Sequence, residues 1–360
     1  MTTYLLAGGG TAGHVNPLLA VADYLRSVEP DSTIVVLGTA EGLEARLVPA
    51  RGYELLTIPR LPFPRRPNRE ALAFFPRFAR AVSRVTEIIR EYSVDVVVGF
   101  GGYASAPAYR AAKRCDIPLV IHEANAKPGL ANVLGARQTS FVGVAFEHTE
   151  LPHARFVGMP LRVEIERLDR VAIQPEARAH FGLDVRLPTL LVTGGSQGAR
   201  SINEAVSAAA SDILAAGYQI LHVWGQRTEI QDPGREHYVI VPYCDRMDLA
   251  LAVADAAISR SGSATASELS GLGIPALYVP YPHGNGEQRF NVQGVVAAGG
   301  ALLVDDSELS AAWVRERFLP LLLDGTALDT MSRAAAQTVV LDGARRTVEL
   351  IHEALASRLR

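Results

Sequence analysis

Short apolar runs alternate with longer amphipathic stretches along the first half of the chain. The runs predict β-strands at residues 3–7, 33–38, 53–59, 94–100, 118–123 and 140–145. Residues 17–28 and 70–92, which lie between such runs, show the spacing of apolar positions that is typical of helices. Strands that are apolar throughout and alternate with helices indicate a parallel sheet covered on both faces. The first half is therefore predicted to be a doubly wound α/β domain.

The same order of elements starts again in the second half. Residues 188–210 have the pattern of an apolar strand, a glycine-rich turn and a helix. Further apolar runs predict strands at residues 219–225, 238–244, 255–260 and 275–282. Pro160 interrupts the pattern at the join between the halves. We therefore expect an α/β protein of two tandem Rossmann-like domains, residues 1–160 and 161–342, followed by an amphipathic helix at residues 343–360.

Composition is that of an ordinary globular protein. The chain has 360 residues, enough for two cores, and 48% of them are hydrophobic and 20% charged. Cys115 and Cys244 are far apart and give neither a disulfide framework nor a metal-binding spacing, so a reducing cytoplasm is the simplest compartment. The N-terminus has the pattern of a strand, and no apolar run approaches the roughly 20 residues that span a bilayer. Any membrane contact is therefore expected to be peripheral.

A glycine-rich loop follows the first predicted strand. It has the spacing G-x-G-x-x-G over residues 8–13, and His14 comes directly after it. Glycines allow a sharp turn there and let a phosphate approach backbone N–H groups at a helix N-terminus. A dinucleotide site also needs an acidic residue at the end of the second strand, where this chain has Gly38 and Thr39. A nicotinamide or flavin cofactor is therefore disfavoured, while a turn that only packs remains an alternative.

Two more glycine-rich loops follow predicted strands, at residues 99–107 and 194–200. Three such loops at the carboxyl ends of parallel strands indicate a site that handles several phosphates. The motif G-x-x-x-x-G-K-[ST] is absent from the sequence, so nucleotide hydrolysis is not indicated. No acidic pair follows a predicted strand in a D-x-D arrangement, so we expect neither a metal nor another cofactor.

Two segments of the second half suit a nucleotide or a sugar. In residues 259–275 a strand end leads through Ser, Gly and Thr into a helix with Glu268, whose carboxylate suits two ribose hydroxyls. Gln288 and Asn291, in residues 282–293, carry amides that suit sugar hydroxyls and an N-acetyl group. The alternatives are a simple helix cap with a solvated Glu268 and an ordinary surface helix.

These segments resemble the MurG family of glycosyltransferases, in the same order and over nearly the whole chain. The matching sequences are GGGTAGHVNP, GFGGYASAP, HEANAKPGLAN, GMPLR, GGSQGAR, RSGSATASE and GEQRFN. The resemblance implies the GT-B fold, with two Rossmann-like domains facing a central cleft and the C-terminal helix crossing back to the first domain. It also implies inverting transfer of N-acetylglucosamine (GlcNAc) from UDP-GlcNAc to the C4 hydroxyl of N-acetylmuramic acid (MurNAc) in undecaprenyl-pyrophosphoryl-MurNAc-pentapeptide. This step converts lipid I into lipid II in peptidoglycan synthesis.

The resemblance further implies which residues contact the two substrates. The implied donor contacts are Thr11, Ala12, Gly13, Asn125, Arg162, Ser196, Cys244 (by its backbone), Ser263, Ala264, Thr265, Ala266, Ser267, Glu268, Gln288 and Asn291. The implied contacts to the acceptor pyrophosphate are Gly10, Gly13, Gly101, Gly102 and Tyr103. Met159, Ala124 and Glu287 depart from the residues often found in the family, which puts fine geometry in doubt and leaves the implied function in place.

His14 is the best candidate for a general base. The attacking hydroxyl must lose a proton, and imidazole titrates near neutral pH. The alternative is that His14 binds a phosphate or the backbone at the start of the helix. The charge of the leaving UDP would be stabilised by N–H groups near Ser196 and by Arg162.

Residues 60–90 mix aromatic residues with eight arginines and two glutamates. The candidate membrane surface consists of Phe74, Phe75, Phe78, Arg65, Arg66, Arg77 and Arg80. Arginine and aromatic residues together suit an anionic leaflet, whereas the alternative is a core-packing helix with a solvated basic face. Pro76 predicts a kink or a break in this helix. We expect a peripheral enzyme on the cytoplasmic side of the cell membrane, with no nucleic acid among its partners.

Three other functions remain open from the sequence. An NAD-linked oxidoreductase would need the acidic residue that is missing after the second strand. A GT-B enzyme with another lipid or small-molecule acceptor fits the basic aromatic segment less well. A sugar-nucleotide sensor without activity leaves His14 unexplained.

Overall fold

The computed structural model describes residues 1–64, 69–195, 197–226 and 234–358, with the backbone alone for residues 69–72. The chain divides into two compact units. The first comprises Met1–Arg162 and the C-terminal segment from Leu341 onward, and the second comprises Val163–Val340. Within the described ranges, no helix is long and apolar enough to cross a bilayer.

The described part of the first unit contains a seven-stranded parallel sheet. Its strands are β1 (Thr3–Ala7), β2 (Thr33–Gly38), β3 (Glu54–Thr57), β4 (Val96–Gly99), β5 (Leu119–Glu123), β6 (Phe141–Val144) and β7 (Ala154–Phe156). Their order across the sheet is β3-β2-β1-β4-β5-β6-β7. The helices between them are α1 (Ala12–Val28), α2 (Glu44–Ala50), α3 (Arg69–Glu91), α4 (Ser105–Cys115) and α5 (Leu130–Gly135).

Both faces of this sheet are buried. On β1, Tyr4 and Leu6 pack into a cluster with apolar residues of α1, whereas Leu5 and Ala7 pack into a cluster with residues of α3 and α4. Successive residues of a strand face opposite sides of a sheet, so burial on both sides requires an apolar residue at every position. The structure therefore explains the continuous apolar runs and confirms a doubly wound domain.

The second unit repeats the plan with a six-stranded parallel sheet in its described residues. Its strands are β8 (Thr189–Thr193), β9 (Gln219–Val223), β10 (Tyr238–Val241), β11 (Ala254–Ser259), β12 (Ala276–Tyr278) and β13 (Ala301–Leu303), in the order β10-β9-β8-β11-β12-β13. Its helices are α6 (Val163–Glu166), α7 (Arg170–Phe181), α8 (Arg200–Ala215), α9 (Met247–Val253), α10 (Ser263–Gly271), α11 (Glu287–Asn291), α12 (Gln293–Ala297), α13 (Ala311–Trp313), α14 (Leu319–Leu322) and α15 (Gly325–Ala336), with a π-helical turn at Val314–Phe318.

The last helix, α16 (Gly343–Ser357), belongs to the first unit. Val348, Ile351 and Ala354 are buried in the cluster that also contains residues of α1. The helix begins at a glycine because a Cβ atom on Gly343 would lie 2.3 Å from the carbonyl oxygen of Met159. The C-terminal helix therefore packs on the first unit through a face of small and apolar residues.

Three details differ from the sequence-based expectations. Helix α1 begins at Ala12, five residues before the predicted start, because the helix accommodates Pro17 internally. Strands β7 and β13 were not predicted, since each is a three-residue edge strand and too short to show a period. Helix α3 continues through Pro76, so of the two predicted effects of this proline the break is wrong, and the kink stays a prediction.

Candidate functional site

In both sheets, the polar and glycine-rich loops follow two strands that lie side by side at a switch point. In the first unit β1 and β4 are neighbours, and the strands that follow each of them extend to opposite sides. In the second unit β8 and β11 hold the same position. Adjacent loops diverge at a switch point and leave a crevice beyond the carboxyl ends of the strands, where ligands bind in folds of this kind. Each unit therefore has one candidate site.

The first loop places His14 in the first turn of α1. The helix starts after Thr11, whose backbone is extended, and the N–H groups of His14 and Val15 both donate to the Thr11 carbonyl at 3.1 Å. Thr11 and Ala12 are exposed, and Gly13 and His14 are half-buried. The first N–H groups of a helix have no acceptor within it, and they favour an anion. The turn is therefore suited to a phosphate, with an imidazole beside it.

The environment of His14 favours its neutral form. Its Nδ1 lies 3.2 Å from the carbonyl oxygen of Gly9 and 3.3 Å from the hydroxyl of Thr11. Burial lowers the pKa of His14 below the ordinary value of 6.5, and the negative charges of Glu123 and Glu44 oppose this shift. A neutral imidazole that donates from Nδ1 keeps a lone pair on Nε2. His14 is thus equipped to accept a proton near neutral pH.

The second glycine loop lies directly against the first. A Cβ atom on Gly102 would lie 2.3 Å from the carbonyl oxygen of Gly9, and one on Gly101 would lie 2.9 Å from Cδ2 of His14. Gly101 and Gly102 also have φ angles of +90° and +83°, a region that favours glycine. The buried Ser105 hydroxyl lies 2.7 Å from the Gly101 carbonyl oxygen and 3.0 Å from that of the last residue of β1. The loops therefore form one continuous backbone surface around the imidazole.

A buried carboxylate holds the first loop from behind. Glu44, the first residue of α2, accepts a hydrogen bond from the Gly10 N–H group at 2.8 Å. It also accepts bonds from the N–H group and hydroxyl of Thr39, at 2.9 and 2.8 Å. Thr39 directly follows β2, where a dinucleotide-binding domain carries its acidic residue. An acidic side chain therefore does reach this strand end, but from a helix five residues later, which sequence spacing did not reveal.

Glu123, at the end of β5, is the centre of a second buried network. One of its oxygens accepts from the Asn125 N–H group at 2.9 Å, and the other accepts from Asn132 Nδ2 at 2.8 Å. The Asn132 amide oxygen in turn accepts from the Tyr109 hydroxyl at 2.6 Å. Glu123 thus positions Asn125, a predicted donor contact. Its charge also opposes the lowering of the His14 pKa, with a larger effect than that of Glu44.

His122 precedes Glu123 on the same strand but does not compete with His14 as a base. It is fully buried, and burial lowers its pKa to about 4. Its Nε2 lies 3.0 Å from the carbonyl oxygen of Gly158. A neutral, enclosed imidazole of this kind supports the backbone of the first unit.

Tyr103 is joined to an arginine that sequence patterns did not single out. The Arg60 guanidinium carbon lies 4.6 Å from the centre of the Tyr103 ring, and Arg60 Nη2 donates to the Tyr103 hydroxyl at 3.1 Å. A Cβ atom on Gly10 would lie 3.9 Å from the same ring. The structure therefore brings an exposed cation to the edge of the two glycine loops.

The third glycine loop, between β8 and α8, is closed by backbone contacts. A Cβ atom on Gly194 would lie 2.3 Å from the backbone nitrogen of Ala199, and one on Gly225 would lie 2.1 Å from Cα of Gly198. The loop therefore has no space for side chains at its base. Ser196, the predicted diphosphate contact, lies outside the described residues.

Arg260 joins the strand ends around the site of the second unit. Its guanidinium group donates to the carbonyl oxygens of Val279 and Pro280 at 3.2 Å each and forms an ion pair with Asp306. Ser201, near the start of α8, donates to Asp306 at 2.5 Å. These bonds join the residue after β11 to the segments that follow β12 and β13, and no pattern in the sequence indicated them.

Helix α10 starts at the second loop of this site. Its N-cap is Gly262, and residues Ser263–Gly271 follow as a helix. The side chains of Ser263, Ala266 and Ser267 are buried, whereas those of Ala264, Thr265 and Glu268 are half-buried. Ala264 and Thr265 lie in the first turn of the helix and Glu268 in the second, so all three remain candidates for contact with a nucleotide.

The other predicted donor contacts differ in burial. Gln288 accepts a hydrogen bond from the Tyr281 N–H group at 2.9 Å and stays half-buried, whereas the Asn291 amide is buried and donates to the carbonyl oxygen of Ser261 at 3.3 Å. Asn291 therefore supports the loop before α10. Cys244 is buried after β10, and Arg162 is half-buried at the end of the first unit.

The structure divides the candidate membrane surface. Phe74 and Phe78 have ring centres 5.6 Å apart and pack against the core of the first unit. Phe75 is 70% exposed, and the neighbouring Arg77 and Arg80 are exposed as well. Arg65 and Arg66 lie outside the described residues. Phe74 and Phe78 pack against the core. Within the described chain, the exposed residues of the candidate membrane surface are therefore Phe75, Arg77 and Arg80.

In the described ranges, no group of three or more histidine, cysteine, aspartate or glutamate residues is arranged to hold a metal ion.

Both halves of the chain are similar in sequence to known proteins. Models of the glycosyltransferase family 28 N-terminal and C-terminal domains match residues 4–143 and 189–347. Over 357 residues the chain is 62% identical to a UDP-N-acetylglucosamine–N-acetylmuramyl-(pentapeptide) pyrophosphoryl-undecaprenol N-acetylglucosamine transferase of Leifsonia xyli subsp. xyli, with 99% of this chain and 100% of the relative covered. It is 52% identical over 360 residues to a protein of the same name from Streptomyces avermitilis, with 99% of each covered. Its structure is similar to that of Acinetobacter baumannii MurG, with a TM-score of 0.81, 25% identity, and 98% of this chain and 100% of that chain covered.

The contact between the two glycine loops predicts a sharp difference between two glycine substitutions. Gly102→Ala places a methyl group against the Gly9 carbonyl oxygen, whereas Gly52→Ala, also at positive φ (+74°), meets only the end of the Arg26 side chain, at 3.8 Å. We expect Gly102→Ala to destabilise the first unit by about 1–3 kcal/mol more than Gly52→Ala does, as overpacking typically costs. Chemical denaturation of the two variants measures this difference, and equal losses would contradict the contact.

Proposed function

The chain belongs to glycosyltransferase family 28, and on this premise we propose how its residues carry out the transfer. The protein has the GT-B fold and moves GlcNAc from UDP-GlcNAc to undecaprenyl-pyrophosphoryl-MurNAc-pentapeptide, the step from lipid I to lipid II of peptidoglycan synthesis. One observation supports the residue roles below more than any other: most of the predicted contacts in the described chain lie on loops at the switch points of two parallel sheets.

Inverting transfer is a displacement at C1 of GlcNAc. The C4 oxygen of MurNAc bonds to C1 while the bond from C1 to the phosphate oxygen breaks, and UDP leaves with that electron pair. The hydroxyl proton passes to a base, and the charge that develops on UDP must be stabilised. In-line attack also requires that the two substrates are held in a fixed orientation.

We assign the base to His14. Its Nδ1 lies against the Gly9 carbonyl oxygen, which leaves Nε2 to accept the proton from the MurNAc hydroxyl. The nearby carboxylates of Glu123 and Glu44 favour the imidazolium ion that results. The alternative is a cationic His14 that binds a phosphate, and the two roles require opposite protonation states.

Protonation states give the first test. For a base, kcat/KM falls as the pH drops through the pKa of His14, because the imidazolium ion cannot accept a proton. Burial lowers this pKa, so the midpoint should lie below 6.5. His14→Ala should lower kcat near neutral pH by about 100- to 10,000-fold and abolish this acid limb.

Transfer of radiolabelled GlcNAc to a lipid I analogue, measured from acid to neutral pH, checks both expectations. A phosphate-binding His14 would give the opposite profile, with activity that rises as the pH falls. Absence of transfer by folded wild-type protein would refute the assigned reaction itself.

We propose that Glu268 binds the uridine ribose. It is half-buried on α10, about one turn from the N-terminus that would face the nucleotide. A carboxylate accepts hydrogen bonds from both ribose hydroxyls, and such charged bonds contribute more than neutral ones.

Glu268→Gln should therefore weaken UDP binding by about 10- to 100-fold, the effect of losing a hydrogen bond to a charged group. The variant should also discriminate less than wild type between UDP and 2′-deoxy-UDP, because the lost bond is to a ribose hydroxyl. Isothermal titration calorimetry measures both, with the exposed Glu308→Gln as the control for loss of charge in the same unit. Equal weakening for the two nucleotides would contradict a contact between Glu268 and the 2′-hydroxyl of the ribose.

We propose that the acceptor pyrophosphate binds at the first turn of α1 and the loop of Gly101 and Gly102. The Gly10 N–H group already donates to Glu44, so it is not free for the pyrophosphate. The N–H groups of Ala12 and Gly13 remain, because the first turn of a helix provides them with no acceptor. The Arg60 guanidinium group, held against Tyr103, adds a positive charge at the edge of the same loops.

We further propose that the enzyme works at the cytoplasmic face of the cell membrane, where Phe75, Arg77 and Arg80 contact anionic lipids. These three side chains are exposed on one stretch of α3. A basic side chain near an anionic surface contributes about 1 kcal/mol, and an aromatic residue at the interface adds apolar burial.

Neutralising Arg65, Arg66, Arg77 and Arg80 together, as glutamine variants, should weaken binding to anionic vesicles by about fivefold or more for each arginine that contacts lipid. Adding Phe75→Ser should weaken it further. Co-sedimentation with vesicles of phosphatidylglycerol and phosphatidylcholine measures binding, and Arg317→Gln with Leu323→Ser, both exposed in the second unit, serves as the control. Unchanged co-sedimentation would exclude this surface.

A further inference from the structure

Glu44 is a buried carboxylate whose only role in the reaction described above is the effect of its charge on His14. Its side chain is 0% exposed, although it carries a full negative charge when ionised. Burying a charge is costly unless hydrogen bonds compensate it. Glu44 has three such bonds, one from Gly10 and two from Thr39, so it joins the first glycine loop to the end of β2.

Three glycines make room for this carboxylate. A Cβ atom added to Gly9 would lie 2.2 Å from Oε1 of Glu44, and one added to Gly42 would lie 2.1 Å from its Oε2. A Cβ atom added to Gly38 would lie 2.5 Å from Cγ of the same side chain. None of the three is recorded at positive φ, so the need for glycine arises from space and not from backbone conformation. The loop, the end of β2 and the turn before α2 are therefore all shaped around one side chain.

The donor pattern requires a carboxylate and excludes an amide. Oε1 accepts from both the N–H group and the hydroxyl of Thr39, and Oε2 accepts from the Gly10 N–H group. A glutamine has the same size, but an NH2 group replaces one of the two acceptor oxygens. In either orientation of the amide, this NH2 group would face another N–H donor, that of Gly10 or that of Thr39. The carboxylate thus fixes the direction in which the Gly10 peptide points.

We propose that Glu44 is a positioning residue of the transfer reaction, which holds the first glycine loop so that the turn before His14 keeps its orientation toward the substrates. This inference rests on the proposed function, in which that turn binds phosphate and His14 accepts the proton. The charge of Glu44 also favours the imidazolium form of His14, together with that of Glu123.

Glu44→Gln tests the inference by kinetics on folded enzyme. Loss of loop orientation should lower kcat by about 10- to 100-fold, as small misplacements of catalytic groups do. UDP affinity should stay unchanged, because the proposed ribose contact, Glu268, lies in the other unit. UDP titration therefore counts sites and kcat is expressed per site, while a chemical denaturation curve checks that the first unit of the variant is folded.

Glu29→Gln is the matched control for loss of a carboxylate in the same unit. Glu29 lies just after α1, where it accepts from the Tyr4 hydroxyl at 2.7 Å and lies 2.6 Å from His352 Nε2. Its removal should affect stability but leave kcat per site unchanged. Equal kcat in Glu44→Gln and wild type would overturn the positioning role, whereas a wild type without transfer would refute the proposed function instead.

A second route displaces the carboxylate without removing it. Gly42→Ala should push Glu44 Oε2 from its place and lower kcat, but it should add nothing to Glu44→Ala, in which the collision is absent. Such non-additivity would support positioning even if Glu44→Gln fails to fold. A Gly42→Ala enzyme with wild-type kcat, or equal losses from Gly42→Ala in both backgrounds, would overturn it.

Discussion

The site of the first unit depends on the direct contact between two glycine loops. Strands β1 and β4 are neighbours at the switch point, so the first residues that leave one strand contact the loop that leaves the other, before the two chains diverge. At Gly102 even one methyl group would collide with the Gly9 carbonyl oxygen. This close packing leaves the His14 ring against Gly101 and sets the shape of the candidate site. The glycines are therefore a requirement of packing before they are a phosphate-binding device.

In the proposed site, the same loop divides its hydrogen-bond donors between the protein and a ligand. The Gly10 N–H group faces inward to Glu44, while the N–H groups of Ala12 and Gly13 at the start of α1 have no acceptor in the helix. An inward bond to a buried carboxylate fixes the loop before any substrate arrives. Donors that are already oriented lower the reorganisation needed when charge develops, which is how fixed dipoles accelerate reactions.

The sequence predicted most of the framework because the framework follows from short-range patterns. Strands buried on both faces are apolar throughout, and both doubly wound domains were predicted on that basis. His14 and the glycine loops were found because they directly follow strands. Glu44 was missed because it reaches the end of β2 from a later helix, and Arg60 was missed because its partner, Tyr103, is 43 residues away. Contacts that depend on the packing of separate elements leave no local periodicity.

The burial of individual side chains on helix α3 gives information that its composition does not contain. A run of phenylalanines and arginines suits either a membrane surface or a core-packing helix with a basic face, and the sequence does not separate the two. In the structure Phe74 and Phe78 pack on the core, while Phe75, Arg77 and Arg80 are exposed. The helix therefore packs on the core and also exposes an aromatic ring and two arginines, since its period of 3.6 residues places neighbours in sequence on different faces. In the proposed membrane contact, affinity would rest on one exposed ring and a few charges, which suits reversible binding to a lipid surface.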